Sequence, residues 1–161
     1  IFTNKIYSVS SGMKFLPVYS VSRVDAKAYA AWLSLERGEE VRLLTENEWL
    51  LAAEGGLENP DFAYGWGPDR SAKEIIDVRK CIPNKIGLYG MTGNVAEWVL
   101  SPKGKPFAMG GSWAELSAEK LNLKKPQLFP AGYADKDVGF RVCLATNQGG
   151  MTPVQKVIST K

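Results

Sequence analysis

Gly87-Leu-Tyr-Gly-Met-Thr-Gly-Asn-Val-Ala-Glu-Trp98 is the most heavily punctuated stretch of this chain, with glycines at 87, 90 and 93. Small residues there allow close backbone approach, and Asn94 and Glu97 flank Val95 and Ala96 in the turn that results. A buried polar pair in such a turn ties neighbouring loops together through its hydrogen bonds. Trp98 closes the stretch and Trp113 closes Gly110-Gly-Ser-Trp113. Both rings are expected to pack irregular loops onto a sheet as core anchors rather than to touch a ligand.

Toward the N-terminus the signals become local and helical. Ser22 to Asp25 fits a capping box, in which two side chains satisfy orphan amides at a helix start. Val24, Ala28, Ala31, Trp32 and Leu35 follow at helical spacing, and Gly38 supplies a stop. A short strand, Val41 to Leu44, leads to a second box, Thr45-Glu46-Asn47-Glu48, and a helix through Trp49-Leu50-Leu51-Ala52-Ala53 that stops at Gly55-Gly56. Ile1 to Tyr19 is β-leaning and predicts one or two short strands.

From Leu57 the composition shifts to glycine, proline and aromatics. Asp61-Phe-Ala-Tyr-Gly-Trp-Gly-Pro68 predicts an irregular loop ordered by its rings. Short strands are expected at Gly87 to Tyr89, Val95 to Leu100, Phe107 to Trp113 and Gly139 to Ala145. The last alternates Phe140, Val142 and Leu144 against Arg141 and Cys143, the pattern of a half-buried strand. Helices first, then loops with short strands, give an α+β fold with two helices, short antiparallel strands and much irregular loop. Gly149-Gly150 marks a hinge into a tail, Met151 to Lys161.

The chain has 161 residues, 45% hydrophobic and 23% charged, which is ordinary for one globular domain. The expected organisation is one domain over residues 1–148 and a tail over 149–161. It holds no histidine. That excludes Ser-His-Asp and Cys-His nucleophiles, histidine-ligated zinc and iron, and an imidazole pH switch. A net charge of +3 without dense clustering does not point to nucleic acid. No apolar run approaches the ~20 residues of a membrane span, so no membrane insertion is expected. Cys81 and Cys143 fit no CxxC pattern and leave a bridge or two free thiols as alternatives.

Seven strings in order carry a resemblance. They are Pro17-Val-Tyr-Ser-Val-Ser-Arg-Val-Asp-Ala26 with Tyr29-Ala-Ala-Trp-Leu33, Val41-Arg-Leu-Leu-Thr-Glu-Asn-Glu-Trp49, Tyr64-Gly-Trp-Gly67, Gly87 to Trp98, Gly110 to Trp113 and Gly139-Phe-Arg141. Together they resemble the formylglycine-generating enzyme and sulfatase-modifying-factor family, over roughly Pro17 to Leu144. The resemblance implies a C-type-lectin-like domain, here without the family's usual N-terminal portion. The chain starts at Ile1 and is expected to be a processed or excised piece. Arg141 falls on a strand central to that fold, and a partly buried guanidinium needs a carboxylate. Glu97 or Glu48 is the expected partner, which gives Asn94, Trp98, Trp113 and Arg141 structural roles.

Catalytic members of that family oxidise a substrate cysteine with two cysteines that hold copper, placed between the Gly-Gly-Ser and Gly-Phe-Arg blocks. Here that interval, Ala114 to Val138, contains no cysteine. The resemblance also implies a calcium site with carbonyls from Gly93 and Val95 and the Glu97 carboxylate. Gly90 stands where an Asp or Asn is usual, so that site is expected to be weak. The expected cofactor is therefore none, with calcium as the open alternative.

A scaffold whose catalytic insert is replaced points to binding, since loops on rigid scaffolds carry recognition. Proteins diversified by retroelements and displayed on phages or bacterial surfaces resemble this arrangement, which favours an extracellular, cell-surface or virion location. The expected function is a non-catalytic binding or display module for a protein or glycan ligand. Its expected contact residues are Tyr64, Trp66, Glu115, Lys120, Asn122, Lys124, Phe129, Tyr133 and Asp135. The alternatives are a copper-dependent formylglycine-generating-type oxidoreductase or other enzyme on the same fold, and a structural subunit of a virion or secretion assembly. In the latter, the tail would join a second copy or an assembly partner.

Overall fold

The computed structural model describes residues 11–55, 74–101, 104–115, 123–130, 132–145 and 151–153. Helix α1 spans Arg23–Arg37, β1 Val41–Leu43 and α2 Glu46–Glu54. The strands β2 Ala96–Trp98, β3 Phe107–Met109, β4 Gln127–Leu128, β5 Val138–Phe140, β6 Val142–Ala145 and β7 Met151–Pro153 follow.

Both helices start and stop where their local chemistry dictates. Ser22 and Thr45 are N-caps with complete capping boxes, closed by Asp25 and Glu48. Gly38 and Gly55 end the helices in the left-handed conformation, which glycine adopts without steric cost. The buried face of α1 differs from the expected one. Ala26, Ala30 and Leu33 face inward, whereas Val24 and Leu35 are 72% and 84% exposed and Trp32 is half exposed. The two alanines have short side chains and lie in the core, Ala26 with Leu43 and Ala30 with Val41.

Two small sheets share the core. One orders its strands β1-β6-β7 and the other β4-β3-β2-β5. All pairings are antiparallel except β2 with β5, which run parallel, so the second sheet is mixed rather than purely antiparallel. Trp49, Leu88, Met91, Val99 and Met109 build one core cluster, and Trp98, Ala96, Leu43 and Val138 another.

Several expected strands are redrawn. Gly87 to Tyr89 forms no strand, because Gly87 and Gly90 have positive φ and the Asn84 side chain captures the amides of Ile86 and Leu88. Phe107 to Trp113 ends at Met109, where Gly110 and Gly111 turn to φ 92° and 69°. Val95 to Leu100 shortens to β2, with Leu100 forming an isolated bridge to Thr45. Gly139 to Ala145 divides at Arg141 into β5 and β6, which belong to different sheets. Residues 1–10 lie outside the described residues, and Ser11–Met13 is a single 3-10 turn. In the expected tail, Met151–Pro153 pairs with β6 of its own chain.

Candidate functional site

The stretch from Gly87 to Trp98 is held by one carboxylate. Glu97 lies on β2 and is 5% exposed. Its Oε2 accepts from Trp49 Nε1 at 2.6 Å and from Arg141 Nε at 2.5 Å, and its Oε1 accepts from Arg141 Nη2 at 2.6 Å. Arg141 Nη2 also donates to the Tyr89 carbonyl at 3.1 Å. Of the two carboxylates expected to face Arg141, Glu97 does so; Glu48 instead takes Arg42 in a two-pronged pair at 2.6 and 2.7 Å.

Asn94, at φ 61°, exchanges two 3.1 Å bonds with the backbone of Ile76 and accepts the Trp113 amide at 3.0 Å. Trp98 is 1% exposed and donates to the Val21 carbonyl. Trp113 is partly buried and reaches the Lys136 carbonyl at 3.2 Å. Gly139 tolerates no side chain, since a Cβ there would lie 2.1 Å from the Val18 carbonyl oxygen.

This arrangement bears on metals. Calcium takes six to eight oxygens, charged ones foremost. The only charged oxygens in the Gly90 to Glu97 loop belong to Glu97, and they already face a guanidinium and an indole N–H. Gly90 brings no side chain, so these residues do not fit a calcium site. Among the described residues no group of three or more His, Cys, Asp or Glu side chains is placed to hold a metal. Cys81 and Cys143 are free and buried. Burial pushes the Cys81 thiol up to about 11 and also raises that of Cys143. Copper(I) favours soft sulfur ligands such as thiolates, and burial disfavours the thiolate form of both cysteines, so they are poorly suited to hold it.

A cleft of about 350 Å³ opens elsewhere, lined by Glu115, Lys125, Pro126, Gln127, Leu128, Phe129 and Asp137. Gln127 Nε2 donates to Glu115 Oε1 at 3.1 Å, which fixes the amide, while Gln127 Oε1 is buried with no partner among the described residues. Phe129 meets the Trp98 ring edge-on at 5.3 Å and stacks on Tyr133 at 4.5 Å. The Tyr133 hydroxyl donates to Asp137 Oδ1 at 3.0 Å, and burial together with that carboxylate pushes its phenol up to about 12.

The structure brings only some of the expected contact residues together. Glu115 and Phe129 line the cleft, with Tyr133 stacked on Phe129. Lys124 instead sits 3.7 Å from Glu54. Asp135 is exposed, and its carboxylate accepts the Lys136 amide. Tyr64, Trp66, Lys120 and Asn122 lie outside the described residues. Lys125, Gln127, Leu128 and Asp137 were not among the expected residues. The bracketing prolines 126 and 130 were the one sequence signal for the short strand that carries two of them.

Comparison with known proteins places this geometry in a family. The family described as "Sulfatase-modifying factor enzyme 1-like domain" matches residues 4–146. The "Inactive C-alpha-formylglycine-generating enzyme 2" of Mus musculus is 36% identical over 133 residues, covering 66% of this chain and 41% of that protein. The "Formylglycine-generating enzyme" of Thermomonospora curvata is 33% identical over 105 residues, covering 51% of this chain and 32% of the enzyme. The chain thus spans well under half the length of these relatives. Among solved structures, PvdO from Pseudomonas aeruginosa superposes with a TM-score of 0.69 at 24% identity, covering 81% of this chain and 62% of that one. At that identity the likeness concerns the fold, which is the formylglycine-generating-enzyme type of C-type-lectin-like domain.

Proposed function

This chain belongs to the sulfatase-modifying factor enzyme 1-like family, and we propose that it is a non-catalytic member that binds a ligand in the cleft beside β4. One observation carries the reading. The interval between Trp113 and Gly139, where the resemblance would put a copper-binding cysteine pair, here contributes carboxylates, an amide, an ammonium and apolar surface to a concave site, and no thiol. Such a lining recognises hydrogen-bond donors and apolar groups and carries no thiol to hold copper. The likeness to a relative named inactive is consistent with this. The ligand class is a protein or a glycan.

The test has two arms. Screening the purified chain against a peptide library and a glycan array is expected to yield a saturable ligand whose binding is lost in Glu115→Lys. Copper-loaded protein given a cysteine-containing peptide is expected to consume no oxygen. Turnover of that peptide, or a ligand insensitive to Glu115→Lys, would overturn the proposal.

A further inference from the structure

We infer that the outer edge of β4 binds an extended peptide by strand addition; this deepens the binding reading above and rests on it. Among the described residues β4 is an outer strand of its sheet, and its register sets Leu128 opposite Phe107 and Gln127 opposite Ala108. The Phe129 amide donates to the Pro106 carbonyl at 3.2 Å, and the Phe107 carbonyl accepts from the amide of Val99, just past the end of β2, at 3.5 Å. Bonded and non-bonded pairs alternate along an antiparallel ladder. Leu128 and Phe107 therefore form a non-bonded pair, and the amide and carbonyl of Leu128 point away from β3, at the edge whose residues line the cleft. An incoming strand can close one reciprocal pair of hydrogen bonds there.

Side chains add a second and a third argument. Gln127, its amide nitrogen held on Glu115 at 3.1 Å, forms a fixed wall of the cleft beside Leu128. Among the described residues the cleft lining carries two carboxylates, Glu115 and Asp137, and one ammonium, Lys125, a balance that favours a ligand with a basic side chain. Leu128, 71% exposed, supplies apolar contact. Pro126 and Pro130 bracket the edge and cannot donate, which leaves a window of one residue pair and keeps longer strands of other copies from pairing here. A glycan's hydroxyls can bond either group singly, but only an extended backbone presents an amide and a carbonyl at the fixed spacing that closes both bonds of the outward pair.

The probe is a basic linear peptide selected from a 12-residue display library. Its affinity is expected to fall at least tenfold for Leu128→Pro, which removes an amide that no ladder bond uses, and less than threefold for Leu128→Ala. Binding is expected to slow hydrogen exchange of the Leu128 amide in the unaltered protein. N-methylation at the peptide's central residue is expected to abolish the complex, a readout that holds even if Leu128→Pro does not fold. A peptide that needs Glu115 yet leaves Leu128 exchange unchanged and tolerates N-methylation would overturn strand addition while the binding reading stands. The same follows if only glycans bind at the cleft. Failure of both peptide and glycan screens would overturn the binding reading and, with it, this inference.

Discussion

Glu97 is the residue on which the loop half of the molecule depends. Its two oxygens satisfy an indole N–H from α2 and a two-pronged guanidinium from the segment between β5 and β6, so three distant parts of the chain meet at one side chain. Removing one member of a buried charged pair leaves the other uncompensated, which costs about 3–5 kcal/mol. Glu97→Ala is therefore expected to lower stability by that order in urea unfolding. Glu97→Gln, which still accepts from Trp49, is expected to cost less. Equal losses for the two variants would show that the charge on Glu97 contributes little. The sequence shows both the glutamate and the arginine, but leaves Glu97 and Glu48 as alternative partners for Arg141. What could not be read was that the indole of Trp49 shares the same carboxylate, because that contact spans 48 residues.

At the scale of elements, legibility follows the range of the interactions. Capping boxes act over three residues, and both helices begin and end where Ser22, Gly38, Thr45 and Gly55 place them. The inward face of α1 is not legible in the sequence, because larger apolar residues recur at helical spacing on another face, whereas the core takes Leu33 with the small alanines 26 and 30. The division of Gly139 to Ala145 into β5 and β6 was hidden too, since only the distant Glu97 reveals why Arg141 leaves the ladder. The α2 start also carries a pH dependence. The Arg42 guanidinium, with the Thr45 amide and hydroxyl, holds the Glu48 carboxyl at about 2, below its ordinary 4.5. A carboxylate whose folded pKa is depressed contributes stability that is present above its unfolded pKa and is lost as pH falls toward the folded one. The protein is thus expected to lose about 2 kcal/mol more than Glu48→Gln between about pH 5 and about pH 2, allowing for partial solvent screening. Parallel acid-unfolding curves for the two proteins would contradict this.

At the scale of the whole molecule, the fold uses its own side chains where a calcium loop would use an ion. The turn from Gly90 to Glu97 is fixed by Arg141 on Glu97, by Asn94 on the Ile76 backbone and by the Gly93 amide on the Gly110 carbonyl. An ion entering there would have to displace the guanidinium from the one charged ligand, and would gain no side-chain oxygen from position 90 in return. A ligand stabilises a protein only in proportion to its occupancy of the folded state. The melting temperature is therefore expected to be the same, within about 1 °C, in millimolar calcium and in excess chelator. In Arg141→Ala the vacated carboxylate becomes available, and any response to calcium is expected to appear there first. A rise of several degrees in the unaltered protein on adding calcium would instead mean that Glu97 exchanges Arg141 for the ion, and would move the centre of this loop from an internal ion pair to a metal.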